Sequence, residues 1–532
     1  MANKDVTDPA KMEKIVSLCK RRGFIFQAGE LYGGLNGVWD YGPLGAELKR
    51  NLKDYWWRKT VQERDDVLGM DGSILTMEQV LVSSGHVGGF SDPMSECPLT
   101  KARLRADQVP PAAPGVEYTF LGARDLESGK VTDKQITVLI PNGKQDMDRS
   151  AQKIALQFYR ELLGKNSKPI LGTKDGPLGL PEDAWSLQAG PREGGLYNPE
   201  NGVLLSEPRM FNLMLQTNFG ATGEQIAYLR PETAQSIFVQ YKNVLDSNRV
   251  KLPFGIAQIG KSFRNEINPR NFTFRSREFE QMEIEYFCHP DDGLRLTDEW
   301  LETRLSFYDE IGIPRTKLHI NDIPDGERAF YSKKTYDIEY EFPFGVQELE
   351  GVAYRTDYDL GVHQKGANKP LEYFDEETKQ RFLPHVVEPS AGCDRTVLAL
   401  ICEAYDEETL TDEKGKADVR EVLRFKPALA PIKAGIFPLL KKNEEQVRIA
   451  RDIQKKLQKW MTVFYDDGGS VGKRYRRQDE AGTPFCITVD FDTLGENGEE
   501  LKNTVTIRHR DSMEQERMKI EDLLGWLLER VR

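Results

Sequence analysis

The sequence predicts an α/β fold in which an antiparallel sheet flanked by helices comes first and a C-terminal mixed-sheet α/β domain follows. The first observation is the segment 255–287, where two runs of alternating apolar and polar residues flank NPRNFTF, as in a long antiparallel hairpin. The second is the tail, where strand-like runs such as PFCITVDF and NTVTIRHR alternate with helical stretches. A chain of 532 residues has room for several structural units.

Composition indicates which partners and cellular compartment suit this protein. The chain has 73 Lys and Arg against 85 Asp and Glu, a net charge of −12, which argues against indiscriminate binding to nucleic acid but allows a local basic patch. No apolar run is long enough for a membrane helix, and the start MANKDVTDPAKMEK lacks the apolar region of a signal peptide. Scattered cysteines without a CxxC pair fit a reducing compartment. We therefore expect a cytoplasmic protein with no membrane partner.

The elements predicted along the chain suggest two domains. Residues 8–22 and roughly 44–63 predict helices around a Gly-rich loop whose spacing matches no phosphate-binding loop. Turn-rich stretches such as PPAAPG and KDGPLGLPED predict an irregular insertion at about 97–205. The net charge per segment changes near residue 426: the preceding part is strongly acidic, whereas acidic and basic residues nearly balance from Lys426 onward. We therefore expect a first domain over 1–425, interrupted by the insertion, and a second over 426–532.

The hairpin predicted at 255–287 sorts its side chains between two faces. One face of the first strand carries Ser262, Arg264 and Glu266; the second strand carries on one face Arg275, Arg277, Phe279, Gln281 and Glu283, and on the other Met282, Ile284 and Tyr286. Arginine suits phosphate contacts, a ring can stack on a base, and a carboxylate can hold an ammonium group. The alternative is a surface hairpin stabilised by ion pairs.

A second informative segment is FLPHVVEPSAGCDRTVLALICEAY at 382–405. A predicted strand leads through the small residues Ser390, Ala391 and Gly392 into an apolar helix. Arg395 falls in the first turn of that helix, where a cation opposes the helix dipole. Such a placement suggests an anionic partner.

Together these segments resemble a known family. FRNE, the following REF, and the strand–turn–helix ending in GCDR resemble motifs 2 and 3 of class II aminoacyl-tRNA synthetases. RRGFIFQAGELYGGLNGVWDYGPLG, SSGHVGGFSDP, LRPETAQSIFVQY, EPSAGCDR and GSVGKRYRRQDEAGTPFCITVDF are similar to glycyl-tRNA synthetases of the dimeric type, and the likeness runs over residues about 10–530. The resemblance implies a class II catalytic domain, a C-terminal anticodon-binding domain and a homodimer.

Two departures from the family pattern affect these expectations. Residues 76–81 read TMEQVL and lack the proline of motif 1, the motif that builds the dimer interface in the family. Relatives often carry paired cysteines near Cys97, whereas here Cys97 stands alone, so we expect no zinc.

The resemblance implies that glycine attacks the α-phosphate of ATP to give glycyl-adenylate, and that the tRNA 3′-terminal hydroxyl then takes the glycyl group. Neither step needs a protein nucleophile, so alignment and charge stabilisation carry the chemistry. The implied partners are ATP, Mg²⁺, glycine and tRNA.

The implied nucleotide site draws on motifs 2 and 3. Arg264 would contact the α-phosphate and the glycine carboxylate, Glu266 the adenine edge, and Glu348 of QELEG the Mg²⁺ ion. Phe279 and Arg395 would sandwich the adenine, with Arg264, Glu266 and Arg395 as the catalytic set. The implied ATP-binding residues are Arg264, Asn265, Glu266, Phe274, Arg275, Ser276, Arg277, Glu278, Phe279, Glu348, Leu349, Gly392, Cys393, Asp394 and Arg395.

Glycine offers only an ammonium group and a carboxylate, so a selective pocket must hold the ammonium among several acids and leave no room beyond Cα. The implied glycine-binding residues are Arg105, Glu232, Phe279, Glu280, Gln281, Met282, Glu283, Glu388, Pro389, Ser390, Ala391 and Gly392. The densest basic run of the tail implies tRNA contacts by Lys473, Arg474, Arg476 and Arg477. The alternative for that run is a solvated helix face.

Two other functions compete with this one. A non-catalytic synthetase-like accessory or regulatory protein would keep the fold but lose ATP residues, whereas Arg264, Glu266, Phe279 and Arg395 are all present. A class II synthetase for another amino acid is disfavoured by the crowded carboxylates and the EPSAG turn.

Overall fold

The computed structural model describes residues 7–171, 185–329, 331–411, 415 and 417–531. The chain forms two compact units. The core unit comprises Met1–Gly88, Met214–Arg264 and Pro269–Arg532, and the inserted unit comprises Gly89–Leu213 and Asn265–Asn268.

The first helix begins and ends at residues that suit helix termini. In the first helix the Asp8 side chain caps the start by accepting from the Lys11 N–H at 2.9 Å, and Gly23 ends the helix with φ 76°. The α-helices of the described residues are α1 (Pro9–Arg22), α2 (Pro43–Trp57), α3 (Glu78–Ser83), α4 (His86–Gly89), α5 (Met147–Leu163), α6 (Ala234–Asn248), α7 (Gly293–Ile311), α8 (Tyr358–Ala367), α9 (Cys393–Ala404), α10 (Glu444–Leu457), α11 (Val471–Ala481) and α12 (Leu523–Arg530). In the part of the chain that is described, none of these helices has the length and apolar character needed to span a membrane.

The strands fall into sheets of very different size. They are β1 (Ile25–Gln27), β2 (Trp39–Tyr41), β3 (Val67–Gly69), β4 (Leu75–Met77), β5 (Ser91–Glu96), β6 (Arg103–Arg105), β7 (Gly115–Phe120), β8 (Ala123–Asp125), β9 (Val131–Thr132), β10 (Ile136–Pro141), β11 (Pro169–Leu171), β12 (Trp185–Ala189), β13 (Arg209–Asn212), β14 (Leu215–Phe219), β15 (Gln225–Leu229), β16 (Phe254–Phe263), β17 (Glu278–Cys288), β18 (Leu318–Asp322), β19 (Lys334–Phe342), β20 (Gly345–Thr356), β21 (Tyr373–Phe374), β22 (Arg381–Phe382), β23 (His385–Gly392), β24 (Tyr405–Thr411), β25 (Ala417–Leu423), β26 (Ala434–Pro438), β27 (Val463–Tyr465), β28 (Phe485–Val489), β29 (Thr504–His509) and β30 (Gln515–Lys519).

The largest sheet has seven strands in the order β18-β19-β20-β23-β17-β16-β3. All neighbours are antiparallel except β16 and β3, so the predicted antiparallel sheet is confirmed. Met282, Ile284 and Tyr286 of β17 pack in the main hydrophobic core with residues of α1, α2, α7 and α9. One face of this sheet is therefore the core, as the alternation predicts.

The connection between β16 and β17 is longer than the sequence pattern suggests. The strands pair only from Phe254↔Phe287 to Phe263↔Glu278, so Arg264, Arg275 and Arg277 lie in the connection and not on paired strands. The aromatic residues of NFTF explain this: a 3₁₀ turn at Phe272–Phe274 buries both rings in the core and draws the chain away from the ladder.

The C-terminal part forms a five-stranded sheet in the order β27-β26-β28-β29-β30. β26 is parallel to β27 and β28, and the remaining pairs are antiparallel, so the predicted mixed-sheet α/β domain is confirmed. This sheet has its own hydrophobic core with α10 and α12. A buried ion pair of 2.8 Å joins Arg420 of β25 to Asp479 of α11, and Glu480 accepts from Arg21 and Arg22 of α1.

The inserted unit is better ordered than an irregular subdomain. Small three-stranded sheets, among them β10-β7-β12 and β11-β8-β9, pack with α5 around a separate core that includes Cys97, Tyr118 and Tyr159. The runs VEYTF and ITVLI, hidden among turn signals, supply the buried strands. The unit extends beyond 97–205 because β5 and β13 pair with each other across its base, with Met94 opposite Arg209.

The packing of α2 against the segment before it predicts a stability effect. A Cβ on Gly45 would lie 1.9 Å from the Phe24 carbonyl oxygen, a backbone atom that cannot swing aside. We expect Gly45→Ala to destabilise the protein by about 1–3 kcal/mol, seen as a lower midpoint of thermal unfolding. Gly472→Ala is the control, since a Cβ there meets nothing within 4 Å. Equal midpoints for the two variants would contradict the packing at Gly45.

Candidate active site

The candidate site lies on the face of the seven-stranded sheet opposite the main core. Period two places Phe279, Gln281, Glu283 and Glu285 of β17 on this face. β23 is the next strand, and its register sets Ser390 opposite Glu283. The strand neighbours thus gather carboxyl and hydroxyl groups predicted from two distant segments of the sequence.

Glu283 is the best-partnered carboxyl group of the site. Its side chain is only 2% exposed and accepts hydrogen bonds from the Ser390 hydroxyl at 2.7 Å and from the Thr233 hydroxyl. Burial and the negative charge of Glu232 raise the pKa of Glu283. The site thus holds this carboxyl in place with neutral donors, leaving its charge uncompensated by a direct ion pair.

Glu232, in the turn before α6, has a different environment. His86 of α4 lies 3.4 Å from its carboxylate, and Gln235 donates to it at 2.9 Å. Burial acts to raise the pKa of Glu232, but His86 and Arg355 outweigh it, so that this pKa lies well below the usual value. Burial also acts to lower the pKa of His86, and Glu232 outweighs it and raises that pKa. The two groups therefore form an ion pair.

Glu388 of β23 is bound to a guanidinium group that the sequence analysis did not single out. Arg355, at the end of β20, donates to Glu388 and makes two hydrogen bonds of 2.7 and 2.9 Å to Asp359 of α8. The guanidinium also lies 4.1 Å from the centre of the Tyr331 ring. The available signal was RTDYD, in which Arg and Asp four residues apart follow the QELEG strand.

Three carboxyl groups come especially close together. Oxygen atoms of Glu283, Glu285 and Glu388 lie within 4.8 Å of one another, and among the described residues this is the group of acidic, His or Cys side chains near enough to share a cation. Glu285 was also missed by the sequence analysis, although it lies two residues beyond Glu283 on the same face of β17. The site therefore contains more acid than the motifs alone indicate.

Next to this acidic region, two guanidinium groups lie over aromatic rings. Arg264 is 5.4 Å from the centre of the Phe279 ring and donates to the Pro231 carbonyl at 3.1 Å. Arg395, in the first turn of α9 as predicted, is 4.4 Å from the centre of the Phe274 ring. The structure thus places one guanidinium over each ring, and the expected sandwich of adenine between Phe279 and Arg395 stays a prediction.

Glu348 of β20 offers oxygen atoms beside Arg395. Its carboxylate is 3.1 Å from the Arg395 guanidinium, and the register sets it opposite Glu339 of β19. Burial, then Glu348 and Glu339, raise the pKa of nearby Asp337 to about 7. Carboxylate oxygens at the edge of an anion-binding region are the donors that Mg²⁺ prefers, so these residues fit that ion.

Six of the expected site side chains lie on the other face of the sheet or in the core. Glu280 is ion-paired with Lys49 at 2.7 Å and Lys53 at 3.0 Å of α2, and Asp394 accepts from Tyr41 and Lys49 at 2.6 Å each. The strand alternation accounts for Glu280, which cannot share a face with Phe279 and Gln281. The others pack in the main core: Met282, Leu349, Ala391 and Cys393.

The connection between β16 and β17 positions further expected residues. Arg277 donates its N–H to the Gly37 carbonyl at 2.7 Å, so the Gly-rich loop supports this connection. A Cβ at Gly37, whose φ is +73°, would meet Pro269 at 2.5 Å. Ser276 is buried and donates to the Thr273 carbonyl, and Glu278 forms an ion pair with Lys261. Arg275 and Arg270 pair through their backbones in an isolated antiparallel β-bridge.

Three expected residues belong to the inserted unit. Asn265 and Glu266 lie in the short stretch Asn265–Asn268 that groups with it. Arg105, at the end of β6, is ion-paired with Asp92 at 2.9 Å and Asp107 at 2.6 Å. The structure thus gives Arg105 two acidic partners of its own.

The basic run of α11 is less accessible than the sequence suggests. Lys473 is exposed, but Arg474 is 2% exposed and donates to the carbonyls of Asp467 and Gly469 at 3.0 and 2.8 Å. The expected tRNA contact by Arg474 is wrong for this reason, because its guanidinium is committed to the backbone of the preceding loop. Arg476 and Arg477 are partly exposed and paired with Asp418 and Asp466 at 3.0 and 2.6 Å.

Comparison with known proteins agrees with this arrangement. Residues 219–405 match the tRNA synthetase class II core domain (G, H, P, S and T), and residues 433–530 match an anticodon binding domain. The chain is 46% identical to the glycine–tRNA ligase of Clostridium perfringens, over 96% of this chain and 97% of that protein. The corresponding protein of Thermus thermophilus is 44% identical, over 98% and 99%, and that of Rhodopirellula baltica is 42% identical, over 98% and 99%.

The relatives match nearly the whole chain. Residues 219–405 include six of the seven strands of the large sheet, and residues 433–530 include all five strands of the C-terminal sheet. The chain belongs to the glycine–tRNA ligase family of class II aminoacyl-tRNA synthetases.

Proposed function

We propose that this protein activates glycine with ATP and attaches it to tRNA through a glycyl-adenylate. The observation that carries the proposal is a pocket of buried carboxyl groups, which suits an ammonium group, directly beside arginines and rings that suit a nucleotide. The chain belongs to a family whose curated members are named glycine–tRNA ligases. In this reaction the protein aligns the carboxylate of glycine with the α-phosphate and stabilises the negative charge that develops there.

We assign the ammonium group of glycine to Glu232, Glu283 and Glu388, with Ser390 beside them. Glu283 has hydroxyl donors but no ion pair with another described residue, so its charge is available for a ligand. A pocket that depends on charge around a small cation suits glycine, whose ammonium group is its main point of recognition besides the carboxylate.

The nucleotide is assigned to the arginine–ring pairs. Arg264, next to the carboxyl pocket, would contact the α-phosphate and the glycine carboxylate, and Arg395 with Phe279 would hold the adenine ring. Arg275 and Arg277 are candidates for the outer phosphates. Glu348 would help to hold the Mg²⁺ ion that accompanies ATP, and this ion would supply positive charge to the phosphate groups.

For tRNA, we propose that residues 1–425 carry catalysis, apart from the insertion, and that residues 426–532 bind the anticodon. The match of residues 433–530 to an anticodon binding domain supports this division. Lys473, Arg476 and Arg477 of α11 remain the proposed phosphate contacts. Lys473 is the strongest of them, since it is exposed and has no ion pair among the residues described.

We further propose a homodimer. The small sheet β14-β15-β4 and the adjoining α3 leave apolar side chains in solvent, with Met77 71% and Leu75 51% exposed and Val82, Phe219 and Ile226 also exposed. Such a patch is typical of a protein interface, and it includes the TMEQVL segment at the motif 1 position. A second copy of this chain is the partner that the family resemblance implies.

The remaining proposals concern location and zinc. All six cysteines are free and buried, as expected for a protein of the cytoplasm. The Cys97 thiol accepts from Asn201 at 3.8 Å in the core of the inserted unit. That the protein binds no zinc stays a prediction, which elemental analysis of the purified enzyme checks.

Arg264→Ala tests the phosphate role. We expect glycine-dependent ATP–pyrophosphate exchange to fall by at least about a hundredfold, because a charge-assisted contact to the reacting phosphate is lost. Thermal unfolding should stay close to that of the unaltered protein. Arg50→Ala is the control, since Arg50 is exposed and its ion pair with Asp54 is 3.7 Å long. Near-normal exchange by a folded Arg264→Ala protein would refute this role.

Glu283→Gln tests the ammonium pocket. Removing one charge from a charge-assisted hydrogen bond costs about 1.5–3 kcal/mol, so the KM for glycine should rise by about tenfold or more while the KM for ATP changes little. Glu280→Gln is a matched control on the same strand but the opposite face, and its KM for glycine should be unchanged. If both variants alter the KM for glycine equally, the assignment by strand face is wrong.

Lys473→Glu tests the tRNA surface. We expect the KM for tRNA in aminoacylation to rise by about threefold to tenfold, with a weaker dependence on salt, because a phosphate contact becomes a repulsion. Pyrophosphate exchange without tRNA should not change. Lys455→Glu on α10 reverses a charge in the same domain and should leave the KM for tRNA unaltered. A Lys473→Glu enzyme with normal aminoacylation would remove α11 from the interface.

A further inference from the structure

Glu285 is a buried acid whose oxygen atoms have no hydrogen-bond partner. Its side chain is 0% exposed, and neither carboxyl oxygen finds a donor in the described structure. An ionised carboxylate in that position would carry a large desolvation cost, and proteins avoid that cost by keeping the group protonated. The geometry therefore requires either a proton or a cation at this place.

The surroundings of Glu285 make the requirement stronger. The β17–β23 register sets Glu283 opposite Ser390 and Tyr286 opposite Val387, so Glu285 lies directly across from Glu388. Like charges in directly opposed positions of a sheet repel each other. On its other side Glu285 pairs with Ile256 of β16, in the apolar cluster that also contains Phe238 and Tyr241 of α6. Water is thus excluded from the side away from the pocket.

The charged groups around Glu285 do not balance it. Glu283 lies on its own strand, Glu388 and Arg355 on β23 and β20, and Asp359 on α8. Glu232 and His86 line the same pocket. The buried Arg230 acts on Glu283, but its guanidinium donates to the carbonyls of Lys261 and Gly72 and to the Gln258 side chain. Within the described structure, the ion-pair partners of these carboxyls are Arg355 and His86. Arg355 is already shared by Asp359 and Glu388, and among the described residues no cation is hydrogen-bonded to Glu285.

We propose that the Glu285–Glu388 pair holds a proton in the free enzyme and that the ammonium group of bound glycine displaces this proton into solvent. Glu285 is thus a positioning residue that keeps the pocket from being over-charged when it is empty. This inference rests on the proposed function, because it takes glycine as the ligand. No covalent bond to glycine forms or breaks; the ammonium replaces the proton as the neutralising charge.

The direction of the titration agrees with this exchange. Burial, then Glu388 and Glu283, raise the pKa of Glu285 well above its ordinary value. Burial and the neighbouring carboxylates, against the effect of Arg355, raise the pKa of Glu388 to about 8. Two such neighbours titrate as a pair. An added positive charge favours the ionised form, so glycine should bind more tightly as pH rises through this range.

Isothermal titration calorimetry of the full-length enzyme with glycine tests the inference. Repeating the titration in phosphate and Tris, buffers with different ionisation enthalpies, measures the protons released per glycine. We expect release of most of a proton near neutral pH, and a Kd that tightens by about threefold to tenfold between about pH 6.5 and about pH 8.5. Glu285→Gln, a neutral analogue of the protonated acid, should match the unaltered enzyme within about twofold at the lower pH and lose both the tightening and the release.

A control and a second measurement keep the outcomes distinct. Glu403→Gln removes a carboxyl that accepts from Tyr340 far from the site, and it should release protons normally. Infrared spectra of the unaltered enzyme with ¹³C-labelled glutamate should show a buried carboxylic acid band that glycine removes, so the test stands even if Glu285→Gln fails to fold.

Three results would overturn the inference. Glycine binding without proton release and without loss of the acid band shows that the pair is not the proton source. Proton release that persists in folded Glu285→Gln assigns the proton to another group, for which Glu283 and His86 are the candidates. If glycine does not bind at all, the proposed function fails together with the inference. In the two preceding cases glycine still binds, so only the inference about the proton fails.

Discussion

An excess of buried acid over buried base constrains the face of the large sheet that carries the candidate site. Five acidic side chains come together where β17, β23, α6 and α8 meet: Glu232, Glu283, Glu285, Glu388 and Asp359. The guanidinium of Arg355 forms ion pairs with two of them, Glu388 and Asp359. A core built this way is costly without a cation, since each unpaired carboxylate must be hydrogen-bonded, ion-paired or protonated. The three solutions occur side by side: hydroxyl donors at Glu283, ion pairs at Glu388 and Glu232, and no donor at Glu285.

The seven-stranded sheet separates these buried carboxyl groups from the main hydrophobic core, which stabilises the fold. On the opposite face β17 contributes Met282, Ile284 and Tyr286 to a large apolar core. Glu280 lies on that face too, but two lysines of α2 neutralise it. β17 therefore carries one acid, Glu280, whose charge is neutralised by lysines on the core face. On the candidate-site face it carries Glu283 and Glu285, which have no cation paired with them among the described residues. Strand alternation makes the division possible, because it assigns neighbouring residues to environments of opposite character.

A second buried charge network serves structure rather than binding. Arg420 of the β24–β25 hairpin is fully buried and pairs with Asp479, which also accepts from Arg508 at 2.9 Å. Removing one partner of such a pair typically costs about 3–5 kcal/mol. The C-terminal domain has its own core, yet this network ties it to the segment before residue 425. A truncation at that boundary would leave Arg420 buried without its carboxylate, so substitutions on the intact chain are the better probes of the domain.

Local patterns in the sequence determined much of the fold: the antiparallel sheet, the helix that begins beside Arg395 and the mixed sheet of the tail all follow from periodicity and turn residues. Strand alternation also put Glu283 on the face of Phe279 and Gln281, whereas Glu388 and Ser390 were implied by the family resemblance. Tertiary structure alone decided the rest. It turned Arg474 inward to backbone carbonyls, set Phe274 under Arg395, and organised the insertion around a core of its own. It also brought Arg355, Asp359 and Glu285 into the pocket. Charge pairing and burial depend on which distant segments meet, and no local pattern encodes that meeting.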